Sequence, residues 1–307
     1  PSAGRPVPRG CKVNEARVME RYRRYTAVLG GRPAIIWGVG WREFGRMIRN
    51  RWVQLVIGLV WLQTLLMALI ILPFQTDPQP IHLLLYGDLV SFGPTGETFG
   101  IRIHLVLLAA ITGGQLISRD LSDQSIHLYL ARPLTRVDYL LARLLTLLLL
   151  FLLAALLPNL YLILVQWTDS GYALGWLGDH RWMLLATLGY GLVVTVTFSL
   201  IALACSALTS RSGFAAAGFF LAVYFPSFLV ETGYGLVQDE RILLFSVLHL
   251  LDMVGHGMFD APQWVTVFGF TFEVELGWRT PFLLLAAIWT ATASAVTMRL
   301  QRLEVTR

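Results

Sequence analysis

Six apolar runs divide the chain, and they limit its fold more than any other feature. A bilayer core takes about 20 apolar residues per helix. The runs at 53–74, 101–118, 140–167, 182–209, 213–230 and 281–299 meet or approach that length. The second is short and is interrupted by Thr112-Gly113-Gly114-Gln115. The third is long enough to tilt, and Pro158 is expected to kink it. The fifth is expected to end between Pro226 and Glu231. Only 14% of residues are charged, against roughly 25% in a soluble domain, too few to cover a water-facing surface.

An even number of spans returns both ends to one side, and the charges say which. Segments 1–52, 118–143, the 209–213 turn and the tail from Arg299 hold 20 basic and 7 acidic residues. The opposite segments hold 4 basic residues, Arg102, Arg181, Arg241 and Arg279, against 12 acidic ones. Basic loops stay cytoplasmic, so both termini are expected in the cytoplasm and the protein in the plasma membrane, as a multi-pass chain. Residues 1–33 are basic and lack the apolar core of a cleavable signal. They are expected as a cytoplasmic N-terminal segment, followed by an interfacial helix over 34–52, a six-span domain over 53–299 and a cytoplasmic tail over 300–307. The two cysteines, Cys11 and Cys205, form no metal motif and suggest no disulfide framework.

Before the first span, Trp37, Trp41, Phe44 and Ile48 recur at helical spacing, with Arg42, Arg46 and Arg49 on another face. Aromatic rings at headgroup level and guanidinium groups toward phosphates describe a helix lying in the interface, against the lipid bilayer. Its plain role is an anchor; its functional one is an elbow that moves with the bundle. The outer loop 231–280 is too long for a simple connection, and its apolar stretch 242–254 is too short to span. A re-entrant or surface-lying helical segment is expected there, buried in protein or at the interface so that its backbone is hydrogen-bonded.

The cytoplasmic loop 118–140 carries the most information. Asp120, Asp123 and Gln124 are polar, while Ile126, Leu128, Tyr129 and Leu130 are apolar, as in a short amphipathic helix. Pro133 stops it, because the residue before proline avoids helical geometry. Thr135 with Asp138 three residues later is positioned to cap the next helix. A helix held at the base of two spans can accept a push from a soluble partner.

This stretch resembles the first intracellular loop of type-2 ABC exporter permeases. Ala131-Arg132-Pro133-Leu134-Thr135-Arg136 matches the family's small-Arg-Pro-Ile/Leu-Ser/Thr-Arg turn, and Ser125-Ile126 stands for Thr-Leu. Gln124 replaces a glycine, His127 a glutamate, and Ala142-Arg143 a Gly-Lys pair. Arg143 keeps the charge; His127 loses a carboxylate. The resemblance implies a coupling helix seated in a groove of an ATPase subunit, with Asp120, Asp123, Ser125, Ile126, His127, Leu128, Tyr129, Leu130, Arg132, Pro133 and Arg136 at or beside that contact. It also implies two ATPase chains carrying ATP and Mg, a second permease chain, the same or related, and a path lined by spans 1, 2 and 5.

The chain has no Gly-x-x-x-x-Gly-Lys-Ser/Thr motif, and its one lysine is Lys12, so it is expected to bind no nucleotide itself. No nucleic acid partner is expected. Thr112 to Gln115 is read as a close helix approach through small residues rather than a nucleotide signature. On the outer side His249, Asp252 and His256 share one helix face. Those ligand types can hold a transition metal, but a polar face turned to water accounts for them better, and no metal is expected. No carboxylate or arginine sits at the centre of a span, which argues against an ion-coupled carrier.

The expected fold is therefore an all-α integral membrane protein with about six transmembrane helices, an N-terminal interfacial helix, a cytoplasmic coupling helix and an outer helical segment. The expected function is the permease of an ATP-driven exporter using a separate ATPase. A non-transporting membrane scaffold is the alternative. An intramembrane enzyme stands behind it, for want of Asp-Asp-x-x-Asp, His-Glu-x-x-His or Gly-x-Ser-x-Gly.

Overall fold

The computed structural model describes residues 31–71, 91–93, 96–98, 101–123, 135–169, 174–259, 264–267, 270–273 and 276–305. Helix α1 (Arg32–Ile48) starts with Pro33 in its first turn, where the missing N–H costs nothing. Asn50 then separates it from α2 (Arg51–Leu66): its side chain accepts from the Trp52 N–H at 3.1 Å, capping the new helix. The segment expected at the interface is thus a helix in its own right, separated from the first span at Asn50. A π-helical turn, Met67–Ile71, extends α2.

Five helices among the described residues are long and apolar enough to cross a membrane: Arg51–Leu69, Val137–Thr168, Arg181–Leu208, Ser212–Val237 and Arg279–Arg302. The run expected at 101–118 is α3 (Arg102–Leu116), of 15 residues, about 22 Å long at 1.5 Å per residue. It falls short of a roughly 30 Å hydrocarbon core. Its surroundings permit this. Leu105, Leu108, Ala109, Thr112, Gly113 and Leu116 are all buried, and α3 packs against its neighbouring spans rather than lipid. After Ile117 the chain continues into α4 (Ser118–Ser122).

The third span is one interrupted helix: α5 (Arg136–Phe151), a π-helical turn Leu152–Leu156, and α6 (Leu157–Asp169). Pro158 offers no N–H and crowds the preceding turn. The wider turn just before it takes up the mismatch, and the Asn159 amide donates to the Ala155 carbonyl at 2.9 Å. After a short α7 (Leu174–Asp179) comes α8 (Arg181–Leu208), the central helix, with 72% of its most apolar window buried. Helix α9 (Ser212–Val237) runs through Pro226. The expected end at Pro226 to Glu231 is corrected to Gln238, whose left-handed φ of 55° closes the helix with its N–H on the Tyr234 carbonyl.

The outer segment expected at 231–280 contains a 3₁₀ turn, Glu240–Phe245, and α10 (Val247–Met258). Leu248, Leu250, Leu251, Met253 and Val254 of α10 are buried in the bundle, so this helix dips into protein rather than lying on a surface. The chain closes with α11 (Arg279–Val305), docked on α8 where the Trp289 indole N–H donates to Thr197 Oγ1 at 2.9 Å.

The membrane body is all-helical, but the loops expected on the outer side add a small sheet that the sequence did not announce. Strands β1 (Ser91–Gly93) and β2 (Gly96–Thr98) form an antiparallel hairpin, as do β3 (Trp264–Val267) and β4 (Phe270–Glu273). The order is β2-β1-β4-β3, with β1 parallel to β4 at Phe92 and Phe270. Three- and four-residue strands leave no periodicity long enough to detect. Their pairing brings the loop after the first span to the loop before the last, at one end of the bundle.

Candidate functional site

At the opposite end, three separate segments converge on one cation. Arg143, in the second turn of α5, has a fully buried side chain. It forms an ion pair with Asp120 of α4 and another with Glu43 of α1, at 3.3 Å. The Tyr139 hydroxyl, one turn before Arg143, donates to Asp120 Oδ2 at 2.6 Å, and the Arg143 guanidinium lies over the Tyr139 ring, 5.1 Å from its centroid. Arg46, half-exposed, completes the cluster by reaching Glu43 at 2.5 Å. A buried guanidinium is tolerated only when paired and hydrogen-bonded. The two arginines and two carboxylates balance, so the group is neutral while each member is tied to another segment.

Local structure holds each member in place. Thr135 and Asp138 form the expected capping box: the Asp138 N–H donates to Thr135 Oγ1 at 3.3 Å and the Thr135 N–H to Asp138 Oδ2 at 3.0 Å. This fixes the start of α5 and hence Tyr139 and Arg143. Arg32 adds an ion pair to Asp138 at 3.5 Å. Helix α1 crosses α5 closely at Gly40, where a Cβ would lie 2.9 Å from Leu145 Cδ2 and 3.2 Å from the Ala142 carbonyl. Thr146 Oγ1 donates to the Gly40 carbonyl at 3.2 Å.

On the α3 side, Ser206 of α8 anchors the loop. Its Oγ accepts the N–H groups of Ile117 at 3.0 Å and Ser118 at 2.9 Å, and donates to the Gly114 carbonyl at 3.1 Å. Gly113 packs against Ala202 of α8, and a Cβ on Gly114 would stand 3.0 Å from the Ala216 nitrogen of α9. The Thr112 to Gln115 stretch is thus a close helix approach. The start of the loop is fastened to α8 and α9 on one side and to α1 and α5 on the other.

Of the loop residues expected at an ATPase contact, Asp120 faces inward and is 7% exposed. Asp123 is exposed and pairs with Arg119 at 3.6 Å. Arg136 begins α5. Ser125, Ile126, His127, Leu128, Tyr129, Leu130, Arg132 and Pro133 lie outside the described residues. On α1, Trp37 and Trp41 stack with centroids 5.9 Å apart, and Trp41 meets Phe44 at 5.4 Å. Both tryptophans are about half exposed, and Arg42 and Arg49 are exposed. Arg46 is shared between that surface and Glu43.

Sequence alone did not point to Glu43, Tyr139 and Arg143 as a unit. The available signal was an arginine inside an apolar helix, which calls for a partner. That partner lies 100 residues away for Glu43 and 23 for Asp120, beyond the reach of any helical spacing rule.

The outer candidates separate. Asp252 is engaged by Arg102 at the start of α3. His249 and His256 are buried in α10 rather than turned to water, a correction to the solvated face expected for them. Among the described residues no group of three or more His, Cys, Asp or Glu is gathered as a metal site.

A family model described as ABC-2 family transporter protein matches residues 37–241. No curated protein matches the chain.

Proposed function

The chain belongs to the ABC-2 transporter family, and we propose that it is the permease of an ATP-driven exporter, moved by separate ATPase chains through the loop that leaves α4. Its place in the family makes it a multi-pass membrane subunit and the non-catalytic component of the transporter. The observation that carries the proposal is the Arg143 cluster. It joins the elbow helix, the first loop and the third span through a single buried cation. A displacement of the loop therefore pulls on α1 and α5 together, rather than being absorbed by one flexible connection.

In this mechanism, ATP and Mg bound between two partner ATPases bring them together. Ile126, Leu128, Tyr129 and Leu130 form the packed face against the ATPase, and Arg132 and Arg136 hold the turn or pair with its acidic residues. Asp123, shortly before these residues in the chain, is exposed. Asp120 serves on the inner side, passing the motion to Arg143. In this reading the cluster end is cytoplasmic, which its basic excess supports, and the sheet and α10 lie outside. A second permease chain completes the pathway.

The test is a purified complex carrying Leu128→Asp and Tyr129→Asp. Stimulated ATP hydrolysis is expected to fall to background while the chain still extracts and melts like wild type. A double variant that keeps hydrolysis coupled to transport overturns the assignment. Purification in mild detergent without any ATPase subunit supports the scaffold alternative instead.

A further inference from the structure

Helix α1 divides one carboxylate between an exposed arginine and a buried one. Glu43 lies almost wholly inside, with 7% of its side chain exposed. Its Oε2 meets Arg46 at 2.5 Å, a close ion contact rather than an aligned hydrogen bond. Its Oε1 meets Arg143 at 3.3 Å, longer than the roughly 2.7–2.9 Å of a strong charge-assisted bond. Arg143 is fully buried, while the Arg46 side chain is half-exposed. One end of this chain of contacts is therefore open to whatever lies against α1.

The neighbours of Arg46 identify that occupant. Arg42 stands one turn before it and Arg49 one turn after, both exposed and without an ion pair among the described residues. Residues three and four apart on a helix are neighbours, so three guanidinium groups form one row about 10 Å long. Arg51, exposed at the start of α2, extends it. A row of planar forks matches phosphate oxygens. The aromatic row of Trp37, Trp41 and Phe44 runs five residues ahead at every step, about 140° round the helix. Trp37, Trp41 and Trp52 are exposed, and indoles of this kind belong at headgroup level. Helix α1 also lies beside the opening turns of two spans: it directly precedes α2 and crosses α5 at Gly40. The row is thus held at one boundary of the membrane body. An acidic protein surface answers the arginines alone, whereas anionic phospholipid answers arginines and indoles together.

We propose that an anionic phospholipid headgroup binds Arg42, Arg46 and Arg49 in competition with Glu43, so that lipid charge sets how much of Glu43 is left for Arg143. A phosphate that draws Arg46 outward leaves Arg143 as the cation that Glu43 faces, and the tie between α1 and α5 tightens. The competition is reciprocal: Glu43 weakens lipid binding by as much as lipid weakens the contact of Glu43 with Arg46. That this changes coupled ATP hydrolysis rests on the permease function proposed above; the lipid site does not.

The experiment uses the purified chain in nanodiscs of equal parts phosphatidylglycerol and phosphatidylcholine, with retained lipids counted by native mass spectrometry. Phosphatidylglycerol is expected to be enriched on the wild type. Arg42→Gln, at a residue that touches no carboxylate, should lower that enrichment about fivefold, the worth of one arginine near an anionic surface. Glu43→Gln should raise it, because Arg46 is released to the lipid. No enrichment on the wild type, or enrichment unchanged in either variant, overturns the proposal. Because Glu43→Gln also disturbs the cluster, a double-mutant cycle of Glu43→Gln and Arg143→Met supplies a second measurement, read by unfolding in mixed micelles. The coupling between the two residues should be larger with phosphatidylglycerol than with phosphatidylcholine alone, and equal coupling is equally fatal. If Arg42→Gln and Arg49→Gln keep their lipid but release the ATPase, the row belongs to an acidic protein surface and the lipid assignment falls. A complex that couples ATP hydrolysis yet shows no lipid preference refutes the site alone. A chain that shows the lipid effects but associates with no ATPase keeps the site and refutes the permease assignment.

Discussion

Replacing Arg143 with methionine removes the cation on which α1, α4 and α5 converge, at nearly constant volume. Glu43 and Asp120 then face each other across a buried space. Taking one partner from a buried ion pair costs about 3–5 kcal/mol, mostly as the penalty of the charge left behind. Two partial compensations exist here. Glu43 keeps Arg46 at 2.5 Å, and Asp120 keeps the Tyr139 hydroxyl at 2.6 Å. The lower end, about 3 kcal/mol, is therefore expected. The assay is reversible unfolding in mixed micelles, read by tryptophan fluorescence, since Trp37 and Trp41 sit on α1. The decisive comparison is the triple variant Glu43→Gln, Asp120→Asn, Arg143→Met. With no charge left to strand, it should recover most of the lost stability, because neutral replacements of buried ion groups are often near neutral. It should not recover coupled ATP hydrolysis, since the tie between loop and elbow is gone. Wild-type stability in Arg143→Met, or a triple variant no more stable than the single one, would refute the reasoning. Arg143→Lys should fall between: the charge remains, but an ammonium lacks the planar fork that reaches two carboxylates.

Gly113→Ala should destabilise the bundle by about 1–3 kcal/mol, as overpacking does, because the new methyl overlaps Ala202; adding Ala202→Gly should restore the wild-type melting temperature, and a double variant no better than the single would rule out that contact. Ser206→Ala strips the shared acceptor from the Ile117 and Ser118 amides and should cost about 1–3 kcal/mol for buried groups left unsatisfied; amide exchange at those two positions should quicken, while distant α9 amides stay protected. For sidedness, Asp123→Cys in a chain whose own cysteines are replaced by serine should react with an impermeant maleimide only from the cytoplasmic face of sealed vesicles. Labelling of residue 123 from outside would invert the topology and remove the loop from any ATPase.

Much of this architecture is written in local pattern. Apolar runs of span length, the Thr135 and Asp138 spacing and the small-residue break at 112–115 all act within a few residues, so they are legible one window at a time. Pro158 was legible as a kink, although the form of the distortion, a π-helical turn just ahead of it, depends on how Asn159 meets the Ala155 carbonyl. Pro226 was misleading. Helix-breaking is a property of proline in water, and in a packed span the helix continues past it to Val237.

By itself the sequence determined that the chain crosses a membrane several times and which loops carry positive charge, because hydropathy and charge act residue by residue. Only the tertiary structure decided what the charged residues do. Asp120 looked like part of a surface and is part of an interior; Asp252 looked like part of a water-facing helix side and is the partner of Arg102. The shortness of α3 likewise makes sense only once its neighbours are seen to shield it from lipid. A buried ion must find its counter-charge wherever the fold brings one, and that pairing is set by packing across the chain rather than by spacing along it.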